Sequence, residues 1–408
     1  MTSHKSQSRA TVFPKRPSHL VLFKERCDKN SDQNVAALAD ILKIKERKGG
    51  GQSRVEFAPE SPGRCPTLLL RRFAMASADL TSDEENRLRR HPTVRIVVPN
   101  LYRTIPGTMA SASVMALNGS GPAPMESPSE DWHVERVGAF PFTGKGVKVA
   151  VLDTGLDSRH PDLNGQVAAR KNFVLNESDE DEHGHGTACA ALIAGVRKSP
   201  GPRYSVSPGA KLIIAKVLNK NGRGDDHAII EGIEWAAQKG ARIISMSLGS
   251  KRQPNDAFSP PYEQLASQLF SDGILLLAAA GNDSDRQQNI IGAVRNPAAC
   301  PSICAVAAVD RNDVVANNSS GAVDPIGEVN FSAPGVMVFS ASAGPIYRYT
   351  SGTSSATPIA AGVAALLLEQ DPSLTAVQLK TLLESRARTR ISSPAPLRTD
   401  YGAGVVHL

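Results

Sequence analysis

The sequence predicts an α/β chain, a doubly wound and mostly parallel sheet preceded by a small α+β domain. Three observations carry this expectation. Runs at 147–152, 212–217, 242–246, 274–279 and 303–308 are apolar almost throughout, as strands buried on both faces require. Stretches of helical spacing lie between them, such as 227–238 and 262–270, and that alternation belongs to a parallel sheet covered by helices. The residues before 104 follow a shorter rhythm of their own, and 408 residues suit one large domain plus a small one.

Taken in order, residues 1–18 are rich in Ser, Lys and Arg and read as a disordered basic tail. A small domain is expected over 19–103. It starts with a β-type run at 19–24 and a helix at 34–44, where Val35, Leu38, Ile41 and Leu42 share one face. An apolar run at 67–75 follows, then a short helix at 82–90 with Asp83, Glu84 and Glu85 in its first turn, favourable for the helix dipole. A strand at 94–98 closes a small open α+β sandwich. Residues 104–130 are Gly, Pro, Ser and Ala with little periodicity, including Gly119-Ser120-Gly121-Pro122-Ala123-Pro124, and read as an exposed linker of the kind proteases cut. The large domain is expected over 131–408, and near its end Thr375 with Gln378 forms a capping box for a helix through Leu383.

Composition narrows the function. The net charge of +6 is uneven: residues 1–104 hold 20 Lys and Arg against 11 Asp and Glu, and the rest 26 against 29. A nucleic-acid enzyme would keep its positive charge beside its site, so nucleic acid is a poor explanation. Cys27, Cys65, Cys189, Cys300 and Cys304 are odd in number and match no zinc spacing; buried thiols are the plain reading, with a Cys300–Cys304 bridge conceivable. The N-terminal residues lack the apolar core of a signal peptide, and no run is long and apolar enough for a membrane helix. The expectation is a cytoplasmic protein without membrane contact. Export by another route, or a misassigned start, is the alternative.

Three motifs carry chemistry. Val151-Leu152-Asp153-Thr154-Gly155 puts an acid at the carboxyl end of a buried strand, where open α/β sheets place their ligands, although a helix cap or a metal ligand would look the same. Gly184-His185-Gly186-Thr187 leads into an apolar helix; His183 nearby raises a metal, but no cluster completes a site, and His183 reads as a solvated loop residue. Gly352-Thr353-Ser354-Ser355-Ala356-Thr357-Pro358 opens another apolar helix, where unpaired N–H groups can stabilise negative charge and Pro358 falls within the first turn or so. Each motif alone is ambiguous, since Ser354 could simply cap its helix.

In the order Asp, His, Ser, the three resemble the subtilisin-like serine protease family, from about Asp131 to the C-terminus. The resemblance implies a subtilisin-like fold and a serine endopeptidase working through an acyl-enzyme. Ser354 would be the nucleophile, His185 the base and Asp153 the residue that orients the base. Leu276-Leu277-Ala278-Ala279-Ala280-Gly281-Asn282 matches the family's oxyanion-hole strand and turn, so Asn282 would donate to the oxyanion beside the Ser354 N–H. It also implies substrate contacts at Ser247, Leu248 and Gly249 on one side and Gly222 and Gly224 on the other, pairing with an extended peptide.

Arg295, in the segment that forms part of the first specificity pocket in relatives, would discourage basic residues there. Ser355, Ile359 and Ala188 depart from the family's usual Met, His and His, away from the chemistry. The chemistry needs no cofactor. Asp162 matches a family calcium ligand, but residues 196–207 lack the expected Asn and Asp oxygens, which argues against calcium at this place. Residues 19–102 resemble the family's inhibitory prosegment, a small ferredoxin-like domain closing on Val94-Arg95-Ile96-Val97-Val98-Pro99-Asn100. The implied partners are therefore peptide or protein substrates and the chain's own prosegment, removed by self-cleavage in the linker. Two rivals remain. A silent module would have lost a triad residue or Asn282, and a nucleotide-binding protein would carry a phosphate-cradling glycine fingerprint.

Overall fold

The computed structural model describes residues 16–24, 33–42, 45–46, 54–58, 65–107, 129–389 and 398–408. The expected tail (its first fifteen residues), most of the expected linker (108–128) and Cys27 lie outside the described residues. The chain divides after Leu101 into two compact units.

The first unit contains β1 (His19–Phe23), α1 (Gln33–Leu42), β2 (Lys45–Glu46), β3 (Arg54–Ala58), β4 (Thr67–Leu70), β5 (Met75–Ala78), α2 (Ser82–Arg90) and β6 (Val94–Pro99). Its six strands form one antiparallel sheet in the order β2-β3-β4-β5-β1-β6. The single run expected at 67–75 is two strands. A short turn of 3-10 helix at Arg71–Phe73 and Ala74 in the left-handed region reverse the chain between them, a break that apolar content alone conceals. Val21, Phe23, Leu38, Ile41, Leu88, Val94 and Val97 make the core. The α2 helix is capped by Thr81, whose Oγ1 accepts from Glu84 N at 3.3 Å while its own N–H donates to Glu84 Oε2 at 2.8 Å.

The second unit opens with β7 (Tyr102–Thr104) and α3 (Trp132–Arg136). It continues with β8 (Lys148–Asp153), β9 (Val167–Asn172), α4 (His185–Ala194), β10 (Lys211–Lys216), β11 (Arg223–Asp225), α5 (Asp226–Gln238), β12 (Ile243–Met246), α6 (Pro260–Ser271), β13 (Leu275–Ala279), β14 (Cys304–Val309) and β15 (Phe331–Pro334). The β16–β17 hairpin (Val338–Ser342, Ile346–Thr350), α7 (Thr353–Gln370) and α8 (Ala376–Ser385) complete it. Seven parallel strands run in the order β9-β10-β8-β12-β13-β14-β15. The order doubles back at β8, which opens a crevice at its carboxyl end. Val149 and Val151 of β8, Ile214, Leu277 and Val306 turn to the face packed by α4 and α7. Leu152 and Ala215 turn to the other face, where a Cβ on Gly232 of α5 would already lie 3.6 Å from each.

All five expected strands form, because each is apolar on both faces. The two edge strands escaped the sequence reading: β9 is half exposed and polar, and β15 is four residues ending in a proline that only an edge tolerates. The Thr375–Gln378 capping box forms at α8 as expected. Tyr102 and Arg103, expected to close the small domain, belong with Thr104 to the second unit, as a strand paired with β11. Cys300 and Cys304 are separate buried thiols, and burial pushes Cys304 up to about 12. Among the described residues, no helix is long and apolar enough to cross a membrane.

Candidate active site

Strand β8 carries Asp153 to the sheet's carboxyl edge, and α4 begins at His185 directly above it. His185 Nδ1 lies 2.7 Å from Asp153 Oδ1, with both side chains about 1% exposed. The approach needs glycine: a Cβ on Gly186 would sit 2.3 Å from the Gly155 carbonyl oxygen. Burial alone would keep the imidazole neutral, but the Asp153 carboxylate, helped by Cys189, raises its pKa well above the ordinary value.

Asp181 holds the start of α4 in place, and no local sequence pattern marks it. Its Oδ1 accepts from Gly184 N at 2.8 Å and from Thr154 Oγ1 at 2.8 Å, and its Oδ2 from Thr187 N at 2.9 Å and Thr187 Oγ1 at 2.6 Å. Thr154 Oγ1 in turn accepts from Gly186 N at 2.9 Å, tying the strand that bears the acid to the helix that bears the histidine. Burial pushes the Asp181 carboxyl up, but these donors outweigh it and leave the pKa below the usual carboxylate range. Lys216, fully buried at the end of β10, donates to Thr154 O at 2.8 Å from below.

Ser354 is the second residue of α7. Pro358 stands at the sixth position, not within the first turn as expected, so it removes the N–H that would have met the Ser354 carbonyl. Ser247 Oγ, at 2.9 Å, and Cys189 Sγ, at 3.5 Å, donate to that oxygen instead. The freed carbonyl thus binds three elements together under the serine. Asp153 Oδ2, His185 Nε2 and Ser354 Oγ are all buried, and none has a hydrogen-bond partner among the described residues. In a folded core such atoms are normally paired. Cys189 lies between His185 and Ser354, its Sγ 3.8 Å from His185 Nδ1 and 3.5 Å from the Ser354 carbonyl oxygen, while no hydrogen bond joins His185 Nε2 to Ser354 Oγ.

Asn282 follows β13 at the same edge. Its Oδ1 accepts from Thr353 N at 3.0 Å and Thr353 Oγ1 at 2.9 Å, which fixes the amide so that Nδ2 faces outward. That Nδ2 donates to the Pro106 carbonyl at 2.8 Å. Gly352, at φ +124°, leaves the room: a Cβ there would lie 2.8 Å from Asn282 Nδ2.

Residues 102–106 run through this edge, Tyr102–Thr104 as the strand β7 and Ile105 and Pro106 beyond its end. On one side β7 pairs antiparallel with β11, Arg103 opposite Gly224, and Ile105 N donates to Gly222 O at 3.1 Å. On the other, Thr104 and Gly249 exchange two main-chain bonds of 2.9 and 2.8 Å. Gly222, Gly224 and Gly249 thus flank the segment. Ser247 turns beneath Ser354, and Leu248 is fully buried.

His183 is exposed, and its ring lies edge-on to His185 at 6.1 Å. Arg295 is held bidentate by Asp283, so its charge is matched. Ser355 Oγ bonds Thr350 Oγ1 at 2.8 Å, and Ile359 is buried in the core. Asp162 does not fit a calcium ion: its Oδ1 accepts from Lys198 N at 2.9 Å, and its Oδ2 from the hydroxyls of Tyr204 at 2.8 Å and Tyr347 at 2.9 Å. Three donors aim at the carboxylate where a cation would need its lone pairs. Asp153, His185 and Cys189 keep a ligand atom each within 4.8 Å of one another, but the direct bond at His185 Nδ1 already occupies the nitrogen that a metal would need there.

The subtilase family model matches residues 144–404. A thermostable alkaline protease of Halalkalibacterium halodurans is 36% identical over 335 residues, 81% of each chain. Subtilisin DY of Bacillus licheniformis is 38% identical over 279 residues, 67% of this chain and 93% of its own. Subtilisin Savinase of Lederbergia lenta is 37% identical over 285 residues, 68% of this chain and 97% of its own.

Proposed function

The chain belongs to the subtilase family and is a subtilisin-like serine endopeptidase; on that premise we propose that Asp153, His185 and Ser354 are its triad, that Asn282 lines its oxyanion hole, and that the chain is a zymogen which cuts itself after Pro106. Ser354 Oγ attacks the scissile carbonyl while His185 Nε2 takes its proton. The carbon–nitrogen bond breaks, His185 returns the proton to the leaving amine, and water then releases the acyl group by the same path. Asp153 holds the imidazole in the required tautomer and stabilises its charged form. No step draws on a cofactor.

The observation that carries this reading is the 2.8 Å contact from the pinned Asn282 amide to the Pro106 carbonyl. A segment flanked by Gly222, Gly224 and Gly249 lies as a substrate backbone would, and its last carbonyl reaches the donor meant for an oxyanion. The bond after that carbonyl, Pro106–Gly107, is the one the triad would cut, and the residues before it would act as the inhibitory prosegment. Full-length wild type and Ser354→Ala are to be expressed and their N-termini sequenced. A new terminus at Gly107 in wild type alone is expected. Equal clipping of the Ser354→Ala chain would remove self-cleavage, and a cut elsewhere would remove Pro106 as its site. Fluorophosphonate labelling that survives Ser354→Ala would remove Ser354 as nucleophile.

A further inference from the structure

In residues 102–106 the main chain is held by backbone pairing, which any sequence can provide, but one side chain is held by a built pocket. Arg103 is 2% exposed. Its Nε and Nη2 donate to the two oxygens of Asp226, at 2.5 and 2.8 Å, and Nη1 donates to Ser250 Oγ. Its guanidinium lies 5.3 Å from the ring centroid of Tyr262, whose hydroxyl donates to Asp226 Oδ1 at 2.9 Å. Asp226 and Tyr262 are themselves almost wholly buried.

Each part of this pocket suits a planar, bidentate cation. A carboxylate meets the fork of an arginine in parallel bonds, an aromatic face attracts the charge, and a hydroxyl takes a further N–H. A neutral side chain in the same place would take a bidentate cation away from a carboxylate that has little access to water, which is strongly unfavourable. The pocket therefore discriminates by penalty as well as by attraction. Its members come from α5, α6 and the loop after β12, so packing of the whole unit assembles it.

We propose that Asp226, with Tyr262 and Ser250, is a specificity pocket selecting protein and peptide substrates that carry arginine in the fourth position before the cleaved bond. The inference rests on the reading that 102–106 lies as a substrate lies, with Pro106 in the first position and Arg103 in the fourth.

The test uses the full-length wild-type protein, its active sites counted by fluorophosphonate, on fluorogenic peptides Arg-Thr-Ile-Pro and the same sequence with citrulline or alanine in place of arginine. Citrulline keeps the shape and removes the charge. The arginine peptide should exceed both others at least about 30-fold in kcat/KM, as loss of one partner of a buried ion pair requires. Asp226→Asn should bring the arginine-to-citrulline ratio to within about threefold; retention of the full ratio in this variant would overturn the role of Asp226. A wild-type ratio within threefold would overturn the proposal whether or not that variant folds. So would a labelled enzyme that cleaves casein but neither charged nor uncharged peptide. Absence of both label and casein cleavage would refute the proposed triad itself, and the inference with it.

Discussion

Replacing Asp181 by alanine removes the carboxylate that closes the N-terminus of α4. Three main-chain N–H groups, the buried ones of Gly184 and Thr187 and the part-buried one of His183, lose their acceptor, and the hydroxyls of Thr154 and Thr187 lose theirs. The hydroxyls can rotate to other partners. The N–H groups cannot, and a buried donor left unmet costs about 1–3 kcal/mol. Two such donors, eased somewhat by water entering the gap, give a loss of roughly 3 kcal/mol. Equilibrium urea unfolding measures it, with Ser354→Ala in both proteins to prevent self-digestion. The pH dependence is a second check. The Asp181 carboxyl has a lowered pKa in the folded protein, so its stabilisation is present above the unfolded carboxylate value of about 3.9 and is lost as pH falls through the lower folded value. The difference between the two proteins should be full at neutral pH and shrink below about pH 4. A loss under about 1 kcal/mol at neutral pH, or a difference unchanged in acid, would refute the claim that this carboxylate organises the helix bearing His185.

Two further outcomes follow from the site. Asn282→Ala should lower turnover about 100- to 1,000-fold, a magnitude established on a subtilisin, with a much smaller change in KM; steady-state kinetics on a peptide substrate decides it. Asp153→Asn should lower turnover roughly 10,000-fold and move the acid limb of kcat/KM to lower pH, because the carboxylate that favours the charged imidazole is gone. A limb that stays in place would separate Asp153 from the titration of His185.

Much of the architecture follows from local rules that a linear pattern obeys. A strand covered on both faces must be apolar throughout, so the five central strands declare themselves, and the Thr375–Gln378 box marks the start of α8 because both of its bonds close within three residues. Where burial is one-sided the pattern thins. The edge strand Val167–Asn172 is partly exposed and shows no apolar run for that reason, whereas Phe331–Pro334 is buried throughout but is only four residues long and holds a serine and a proline. The apolar content of 67–75 likewise says nothing of the reversal at Ala74.

The amino-acid order alone was enough to set out the parallel sheet and to place Asp153, His185 and Ser354 each at the mouth of an element, since strand periodicity and helix starts depend on near neighbours. Only the folded chain decides that Asp181 ties the Asp153 strand to the His185 helix, that Pro358 frees a carbonyl for Ser247 and Cys189, and that Arg103 meets Asp226, Tyr262 and Ser250. These partners lie from 6 to 165 residues apart. Pairings of that span are chosen by which surfaces pack together, and no local periodicity carries that information.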